Sequence, residues 1–295
     1  MIDFEDARAD ADDAALARRA ADGDRTALDE LVRRHQQWVF AVALRFTRNP
    51  DAAADLTQDA LVRVITRISQ FSGASGFRTW AWRIVLRCFL NGKRGHQEEA
   101  VGSFQDYEAF LERTGLEDPD PRTSPQEWEL LGREVQVQCM LGMLLCLDRE
   151  QRLVLILGAI LGVPAPAAAP LLDWTPAQFR KRLERARADL ASFMNENCGL
   201  VDPRNACRCP RKAAALVRQG LVDVQSMRFA GPTVRIARRA AAARSHTFDA
   251  WADDAAIQLF RCHPELAGPD AAAAIVALLD TSGFGPLARS RSPES

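Results

Sequence analysis

Alternating runs of β-branched and polar residues, the usual pattern of strands, are nearly absent from this 295-residue chain. Alanine and leucine dominate instead, and signals that start helices recur. With 47% apolar residues the chain can bury a core, and its length suggests about two domains. The sequence therefore predicts an all-α protein with two small helical domains, a linker between them and a mainly helical C-terminal extension.

The acidic N-terminus lacks the basic region and apolar stretch that would mark a secretory signal. Leu153–Leu172 carries no charged side chain and has the length of a membrane span. Pro164, Pro166 and Pro170 interrupt it, so the sequence favours two short segments and no membrane association. Seven cysteines without a signal then indicate a reduced, cytoplasmic setting without a disulfide scaffold.

Net charge is also nearly absent, at −1, but the charges are distributed in blocks. Residues 1–24 and 95–129 are strongly acidic, whereas residues 78–94 carry five basic and no acidic side chains. A second basic block, residues 199–245, has ten basic and two acidic residues. Opposed patches of this kind are typical of proteins that meet nucleic acid, so near-neutrality does not exclude a DNA partner.

Capping signals predict the helix boundaries. Thr26 can open a helix that runs to about Thr47, and Asn49-Pro50 ends it and begins the next. Three capping boxes follow, at Ser124 with Glu127, Asp148 with Gln151, and Thr175 with Gln178. The acidic stretch from Gly95 to Arg122 loses its periodicity and is predicted to be a linker. Further helices are expected near 211–219, 233–262 and 269–280.

The helix predicted from Asp51 to about Ile68 has two different faces. Asp51, Asp55 and Asp59 follow each other at i, i+4 and i+8, while Leu61, Ile65 and Ile68 repeat on a core-facing stripe. No histidine, cysteine or glycine-rich loop accompanies the carboxylates, which argues against catalysis or metal binding there. A solvated face and a docking surface for a basic protein remain as interpretations.

A small flexible loop over 70–76 precedes a basic helix over 77–91. On this helix Trp80, Arg83 or Arg87, and Asn91 fall close to one stripe, and Phe77, Ile84 and Cys88 form the other. Cationic side chains with an aromatic face suit a nucleic-acid strand, because guanidinium groups neutralise phosphates and tryptophan stacks on bases. The alternative is that the tryptophans are core residues and the arginines only extend along the surface.

Residues 148–190 have the layout of a helix-turn-helix. An apolar helix is followed by the break Gly162-Val163-Pro164, a short Ala/Pro segment and a capped helix from Pro176 to about Leu190. The apolar side chains of the last helix repeat at helical spacing and predict its buried stripe: Phe179, Leu183, Ala186 and Leu190. Its basic side chains then remain available to phosphates and base edges.

Together these segments resemble extracytoplasmic-function sigma factors. Ala27–Arg34, Asp51–Ala60 and Phe77–Ile84 are similar to region 2 of that family, and Leu147–Leu155 and Arg180–Leu190 are similar to region 4. The resemblance covers about 14–94 and 128–194. It lies in the order and spacing of several blocks, and it implies a promoter-specificity subunit that is not an enzyme.

The resemblance implies a role for each block. The core-polymerase surface, which docks on the clamp of the largest subunit, would consist of Asp55, Leu56, Gln58 and Asp59. Contacts to the minus-ten element, where a flipped base is held, would come from Phe71, Ser72, Arg78, Trp80, Arg83, Arg87, Asn91, Lys93 and Arg94. Contacts to the minus-thirty-five element would come from Thr175, Gln178, Arg180, Lys181, Arg182, Arg185 and Arg187. Region 4 would also meet the polymerase flap.

The predicted divisions are region 2 over 1–94, the linker over 95–124, region 4 over 125–197, a regulatory extension over 198–287 and a disordered tail over 288–295. Two departures from the family stand out. Arg87 replaces a usual asparagine, and Asn91 a common aspartate, in the minus-ten helix. Pro170 would cost about 3 kcal/mol inside a helix unless the helix is short or kinked.

The extension resembles those that regulate some members of the family in cis, and an anti-sigma factor is a further candidate partner. Cys198, Cys207 and Cys209 could ligate zinc or copper, although Cys-x-Cys is not the usual zinc-finger spacing and no cofactor is required. Redox-active thiols and incidental cysteines are the alternatives.

The predicted function is that of a sigma factor that binds core RNA polymerase and directs promoter recognition and strand opening. Two other hypotheses stay open. The chain could be a sigma-like sensor or interaction module without full promoter opening, or a stand-alone helix-turn-helix regulator that uses only 148–190. The acidic stripe around Asp55 favours the sigma-based hypotheses, because a repressor has no need of it.

Overall fold

The computed structural model describes residues 7–92 and 101–224, together with residues 227, 257, 259, 260, 268 and 270. Over these residues the chain is helical without a strand, which confirms the all-α prediction. The α-helices are α1 (Ala7–Ala21), α2 (Arg25–Thr47), α3 (Pro50–Thr66), α4 (Phe77–Asn91), α5 (Phe104–Thr114), α6 (Pro125–Cys146), α7 (Arg149–Val154), α8 (Ala165–Ala168), α9 (Pro176–Asn197) and α10 (Cys209–Arg218).

The chain divides into two compact units, and these do not follow the predicted boundaries. The first takes its described residues from 1–93, 163–179 and 267–295, and the second from 94–162 and 180–266. The predicted linker and the start of the predicted extension both belong to the second unit. The predicted functional divisions of the chain stay predictions.

In the first unit, α1–α4 pack around an aromatic and aliphatic core. Phe77, Trp82 and Phe89 of α4 are almost fully buried in it. Asp24 caps α2 by accepting a hydrogen bond from the Ala27 N–H at 3.1 Å, so the helix begins before the predicted Thr26. Asn49 caps α3 with a proline in the first turn, as predicted.

The predicted linker contains a regular helix, which corrects the sequence analysis. A capping box between Ser103 and Asp106 opens α5, and Gly115, with φ +62°, ends it. Tyr107 is buried and donates its hydroxyl to the Cys139 carbonyl of α6 at 3.2 Å. The segment looked aperiodic because α5 buries few of its residues and its exposed face is acidic.

A buried arginine joins α6 to α7. The Arg152 side chain is 1% exposed, and its guanidinium donates to the carbonyls of Leu144, Leu145 and Leu147 at 2.9–3.3 Å. These carbonyls lie at the end of α6, where backbone donors run out, and the Leu144 carbonyl also accepts from the Leu147 N–H at 3.3 Å. The capping boxes predicted at Ser124 and Asp148 are both present.

After α7 the backbone widens into a π-helical turn over Leu155–Ile160 and reverses at Gly162, with φ +71°. Pro166 lies in the first turn of the four-residue α8, and Pro170 in the first turn of a 3-10 segment over Ala169–Leu172. The helix is therefore short, as Pro170 requires. In the described part of the chain, no helix has the length and apolarity to cross a membrane.

Helix α10 confirms the helix predicted near 211–219, but it is part of the core of the second unit. Its Ala213 and Leu216 pack with Leu131 and Val135 of α6 and with Val222. Gly132 lies at this close approach, where a Cβ atom would make a tight contact of 3.3 Å with Pro210. Most of the helices predicted over 233–262 and 269–280, and the tail over 288–295, fall outside the described residues.

Candidate functional site

Helix α3 presents the acidic stripe predicted for it. Asp55 and Asp59 are exposed, Leu56 and Gln58 are half-buried beside them, and Asp51 continues the stripe towards the N-terminus of the helix. Leu61, Ile65 and Ile68 are buried on the opposite side, which confirms the core stripe. The carboxylates thus face solvent from a rigid, well-packed helix.

The loop between α3 and α4 is bordered by an aromatic group. The ring centroids of Phe71, Phe77 and Trp80 lie 5.4–5.8 Å apart, in tilted and edge-to-face arrangements. Phe77 is buried and anchors the group, whereas Phe71 and Trp80 are half-buried, and Ser72 is exposed. Trp82 belongs to the core, so Trp80 is the tryptophan of α4 whose ring lies near the loop.

The three described arginines of α4 each have an acceptor within the first unit. Arg78 Nε donates to Asp13 Oδ2 at 2.8 Å and is mostly buried. Arg83 Nε donates to the Pro170 carbonyl at 2.9 Å. Arg87 forms an exposed ion pair with Asp173, a residue in the left-handed region with φ +58°. Asn91 is exposed, and the predicted contacts Lys93 and Arg94 lie outside the described residues.

The α9 helix shows the predicted division into a buried and a basic face. Phe179, Ala186 and Leu190 are buried, and Leu183 is half-buried. Of the predicted minus-thirty-five contacts, Arg180, Lys181 and Arg185 are exposed, whereas Arg182 and Arg187 are half-buried. Arg182 Nε lies 2.9 Å from the Glu150 carboxylate of α7.

Thr175 and Gln178 form the predicted capping box of α9. The Gln178 N–H donates to Thr175 Oγ1 at 3.2 Å, and the Thr175 N–H donates to Gln178 Oε1 at 2.8 Å. Both side chains are exposed, and both hold the first turn of the helix.

The cysteines singled out by the sequence lie at the start of the described extension. Burial raises the pKa of the Cys198 and Cys207 thiols. Burial, followed by the neighbouring thiols of Cys139, Cys198 and Cys207, raises the pKa of Cys209. These groups are therefore protonated and poorly nucleophilic near neutral pH.

Among residues 7–92 and 101–224 and the single residues described beyond them, no three His, Cys, Asp or Glu side chains form a group that could hold a metal ion. Zinc or copper binding by Cys198, Cys207 and Cys209 stays a prediction. Metal analysis of the purified protein and of its Cys207→Ser variant tests it.

The residues that sequence reasoning missed are long-range partners. They include Asp10 and Asp13 of α1, Lys212 of α10 and Cys139 of α6. The sequence shows that residues 1–24 are acidic. The spacing of three between Asp10 and Asp13 is the only sequence signal that these two residues share a helix face.

Comparison with known proteins bears on all of these surfaces. Residues 31–99 match the family described as sigma-70 region 2, and this range contains the acidic stripe, the loop and α4. The RNA polymerase sigma factor YlaC of Bacillus subtilis is 26% identical over 173 residues, which is 59% of this chain and 95% of YlaC. The ECF RNA polymerase sigma-E factor of Haemophilus influenzae is 27% identical, over 59% of this chain and 91% of its own. The chain is therefore similar to ECF sigma factors, and residues 31–99 match sigma-70 region 2.

Among solved structures, CnrH in complex with the cytosolic domain of CnrY is 25% identical to this chain, with a TM-score of 0.44, over 63% of this chain and 98% of CnrH. The relatives are sigma factors, a class of transcription proteins and not of enzymes. The alignment with YlaC leaves about two fifths of this chain uncovered, since it spans 59% of the residues.

Proposed function

We propose that this chain is an ECF sigma factor that works in the cytoplasm, binds core RNA polymerase through α3 and directs it to promoters. The observation that carries the proposal is the exposed stripe of Asp55, Leu56, Gln58 and Asp59 on a helix whose other face is buried. Acidic side chains fixed on a rigid helix suit a basic protein surface, because charge complementarity sets the register of docking. The clamp of the largest polymerase subunit is the proposed partner.

Promoter opening is assigned to the loop over 71–76 and to α4. Trp80 offers a half-exposed ring for a base, and Arg83, Arg87 and Asn91 lie farther along the same helix, where the phosphates of a strand can be met. Arg78 is mostly buried by its pair with Asp13, so it supports this surface from below instead of contacting DNA.

Recognition of the minus-thirty-five element is assigned to α9. Arg180, Lys181 and Arg185 are exposed in its first half, which suits insertion into a major groove. Arg182, Arg187 and the capping pair Thr175 and Gln178 complete the proposed surface. Arg182 and Arg187 are assigned to phosphate contacts, which set the salt dependence of binding.

Regulation is assigned to the extension, because α10 packs on the segment that precedes region 4. The Glu117 N–H of that segment donates to the Arg211 carbonyl at 3.1 Å, and Arg211 Nε lies 3.0 Å from the Asp118 carboxylate. Arg218 forms a further ion pair with Glu117. The extension thus holds the acidic segment directly, which is where a cis-acting effect on polymerase engagement would arise. An anti-sigma factor is the alternative regulator.

The proposal is tested by adding the purified protein to core polymerase and measuring co-elution and run-off transcription. We expect transcripts from a cognate promoter. The Asp55→Arg/Gln58→Ala variant should lose core binding while keeping its helical circular dichroism. Asp12→Arg, which makes the same charge reversal at an exposed position of α1, is the matched control and should bind as the wild type does.

Three outcomes distinguish the hypotheses. Co-elution together with transcripts supports the proposal. Co-elution without transcripts from any promoter would support the sigma-like sensor or interaction module. Failure of the wild type to co-elute, combined with DNA binding by the isolated protein, would favour the stand-alone helix-turn-helix regulator.

A further inference from the structure

Helix α4 begins without a capping side chain of its own. Its N-cap is Gly76, no side-chain hydrogen bond is made from that position, and the first turn contains no acidic residue. The first N–H groups of a helix have no intrahelical acceptor and carry the positive end of the helix dipole. Another part of the molecule therefore has to complete this end of the helix.

The missing cap is supplied by α1. Asp10 Oδ1 accepts a hydrogen bond from the backbone N–H of Arg78 at 2.8 Å. Gly76 makes room for it, because a Cβ atom there would lie 2.2 Å from Asp10 Oδ2. The φ of Gly76 is −56°, which any residue can adopt, so the glycine is needed for space and not for conformation.

One turn further along α1, Asp13 holds the side chain of the same arginine. Asp13 is fully buried, with Arg78 Nε at 2.8 Å, His35 Nε2 at 3.2 Å and Arg34 Nη1 at 3.3 Å. Arg78 is thus fixed at its backbone by Asp10 and at its guanidinium by Asp13. Residues three apart on a helix share a face, so a single face of α1 makes both contacts.

These contacts fix both ends of the loop over 71–76. Helix α1 packs against the 3-10 turn Ile68–Gln70 before the loop and against α4 after it. Phe71 and Phe77, which flank the loop, meet at 5.4 Å, and Trp80 completes the aromatic group. The position of the loop and of the Trp80 ring therefore depends on where α1 holds the first turn of α4.

The geometry points to Asp10 and Asp13 as positioning residues for promoter opening. They touch no DNA. They hold the loop and the first turn of α4 in the arrangement that receives an unpaired base of the minus-ten strand. This inference rests on the proposed function, because it requires the loop and α4 to be the strand-binding surface.

The test uses full-length protein assembled with core polymerase, below the melting temperature of every variant. The probe is a fluorescent single-stranded DNA carrying the minus-ten sequence of a cognate promoter, and its Kd is measured by anisotropy. Asp10→Ala and Gly76→Ala should each weaken this binding about tenfold, while core binding stays as in the wild type. Asp10→Asn, which keeps an oxygen acceptor, should recover most of the affinity, and the exposed neighbour variant Asp12→Ala should match the wild type.

A double variant sharpens the test. Gly76→Ala acts by displacing the Asp10 carboxylate, so it should cause little further loss in the Asp10→Ala background. If the loss of affinity in the double variant equals the product of the two single losses, the coupling of Gly76 to Asp10 is overturned.

The remaining outcomes separate this inference from the proposed function. If Asp10→Ala and Gly76→Ala lower the melting temperature but leave the Kd for single-stranded DNA unchanged, the contacts are only structural and the inference fails. If Trp80→Ala and Arg87→Ala also leave that Kd unchanged, α4 is not the strand-binding surface and the proposed function itself fails.

Discussion

At the scale of single residues, Asp13 shows how a buried charge is stabilised. Burial by itself raises the pKa of this carboxyl group, but interactions with His35 and Arg78 outweigh it and lower the pKa from 3.8 to about 2. A buried carboxylate costs free energy unless it is paired and hydrogen-bonded, and Asp13 has three basic neighbours. Its ionised form is therefore favoured in the folded protein.

This shift predicts an acid-dependent stability. Since the pKa is lower in the folded chain, Asp13 stabilises the fold above about pH 4, and this contribution is lost as the pH falls to about 2. The loss is about 2 kcal/mol, because one pKa unit corresponds to about 1.36 kcal/mol. Urea unfolding of the wild type and of Asp13→Asn between pH 6 and pH 2 should show the difference in unfolding free energy shrinking with acid. A constant difference would contradict this account.

Burial patterns were predictable at this scale, whereas pairings were not. The repeats of Leu61, Ile65 and Ile68, and of Phe77, Ile84 and Cys88, predict the faces that the structure buries. The burial of Arg78 against Asp13 joins residues 65 positions apart. Helical periodicity describes neighbours along one helix and carries no information about which helix packs beside it.

At the scale of elements, α5 and α10 of the second unit are joined by side chains that donate hydrogen bonds to the last carbonyls of α5. Lys212 of α10 is 4% exposed, and its ammonium group donates to the carbonyls of Leu111 and Gly115 and to Thr114 Oγ1 at 2.6–3.1 Å. Gln219 adds a hydrogen bond to the Thr114 carbonyl at 2.8 Å. The C-terminus of α5 is therefore completed by the extension.

Removing this lysine should separate α5 from α10. Lys212→Ala leaves the two carbonyls and the hydroxyl without their donor, and we expect it to lower the free energy of unfolding by about 2 kcal/mol. Hydrogen exchange should locate the loss in α5. The exposed Lys181→Ala is the control and should stay within about 0.5 kcal/mol of the wild type. Unchanged exchange in α5 would contradict the proposed role of Lys212.

The composition around α5 predicted a linker, although the sequence contains the capping box that opens this helix. Ser103 and Asp106 form the box, but the acidic surroundings and the nearby Pro119 and Pro121 favoured a linker. A helix with few buried side chains gives a weak periodic signal, so α5 depends on tertiary contacts such as those of Tyr107 and Lys212. Sequence patterns record such contacts poorly.

At the scale of the whole molecule, the described start of the extension, residues 198–224, shares the core of the second unit. Leu216 and Ala213 complete a cluster with Leu131 and Val135 of α6, and Trp128 packs against it. A boundary at 197 follows the family resemblance, which ends with region 4, and it cuts through this core. The resemblance could not indicate that α10, which follows region 4, shares a core with α6 of that region.

This arrangement changes what a truncation experiment measures. A chain ending after Asn197 should expose the α6 face, bind the dye ANS and unfold at lower urea, so a loss of transcription would not by itself show regulation. In the full chain, Leu216→Ala should cost about 2–4 kcal/mol. A truncated protein as stable as the wild type would show that α10 adds nothing to the core.

The pair between Arg87 and Asp173 has a consequence for how promoter binding responds to salt. An arginine that binds a phosphate displaces condensed cations from DNA, and each such contact steepens the dependence of log K on log salt by about 0.7–0.9. Here Arg87 must first leave the carboxylate of Asp173, which then attracts a cation of its own. The two ionic exchanges offset each other, so this contact makes binding less sensitive to ionic strength. Asp173→Asn should restore the steeper slope in binding isotherms at several salt concentrations, and an unchanged slope would show that Arg87 meets no phosphate.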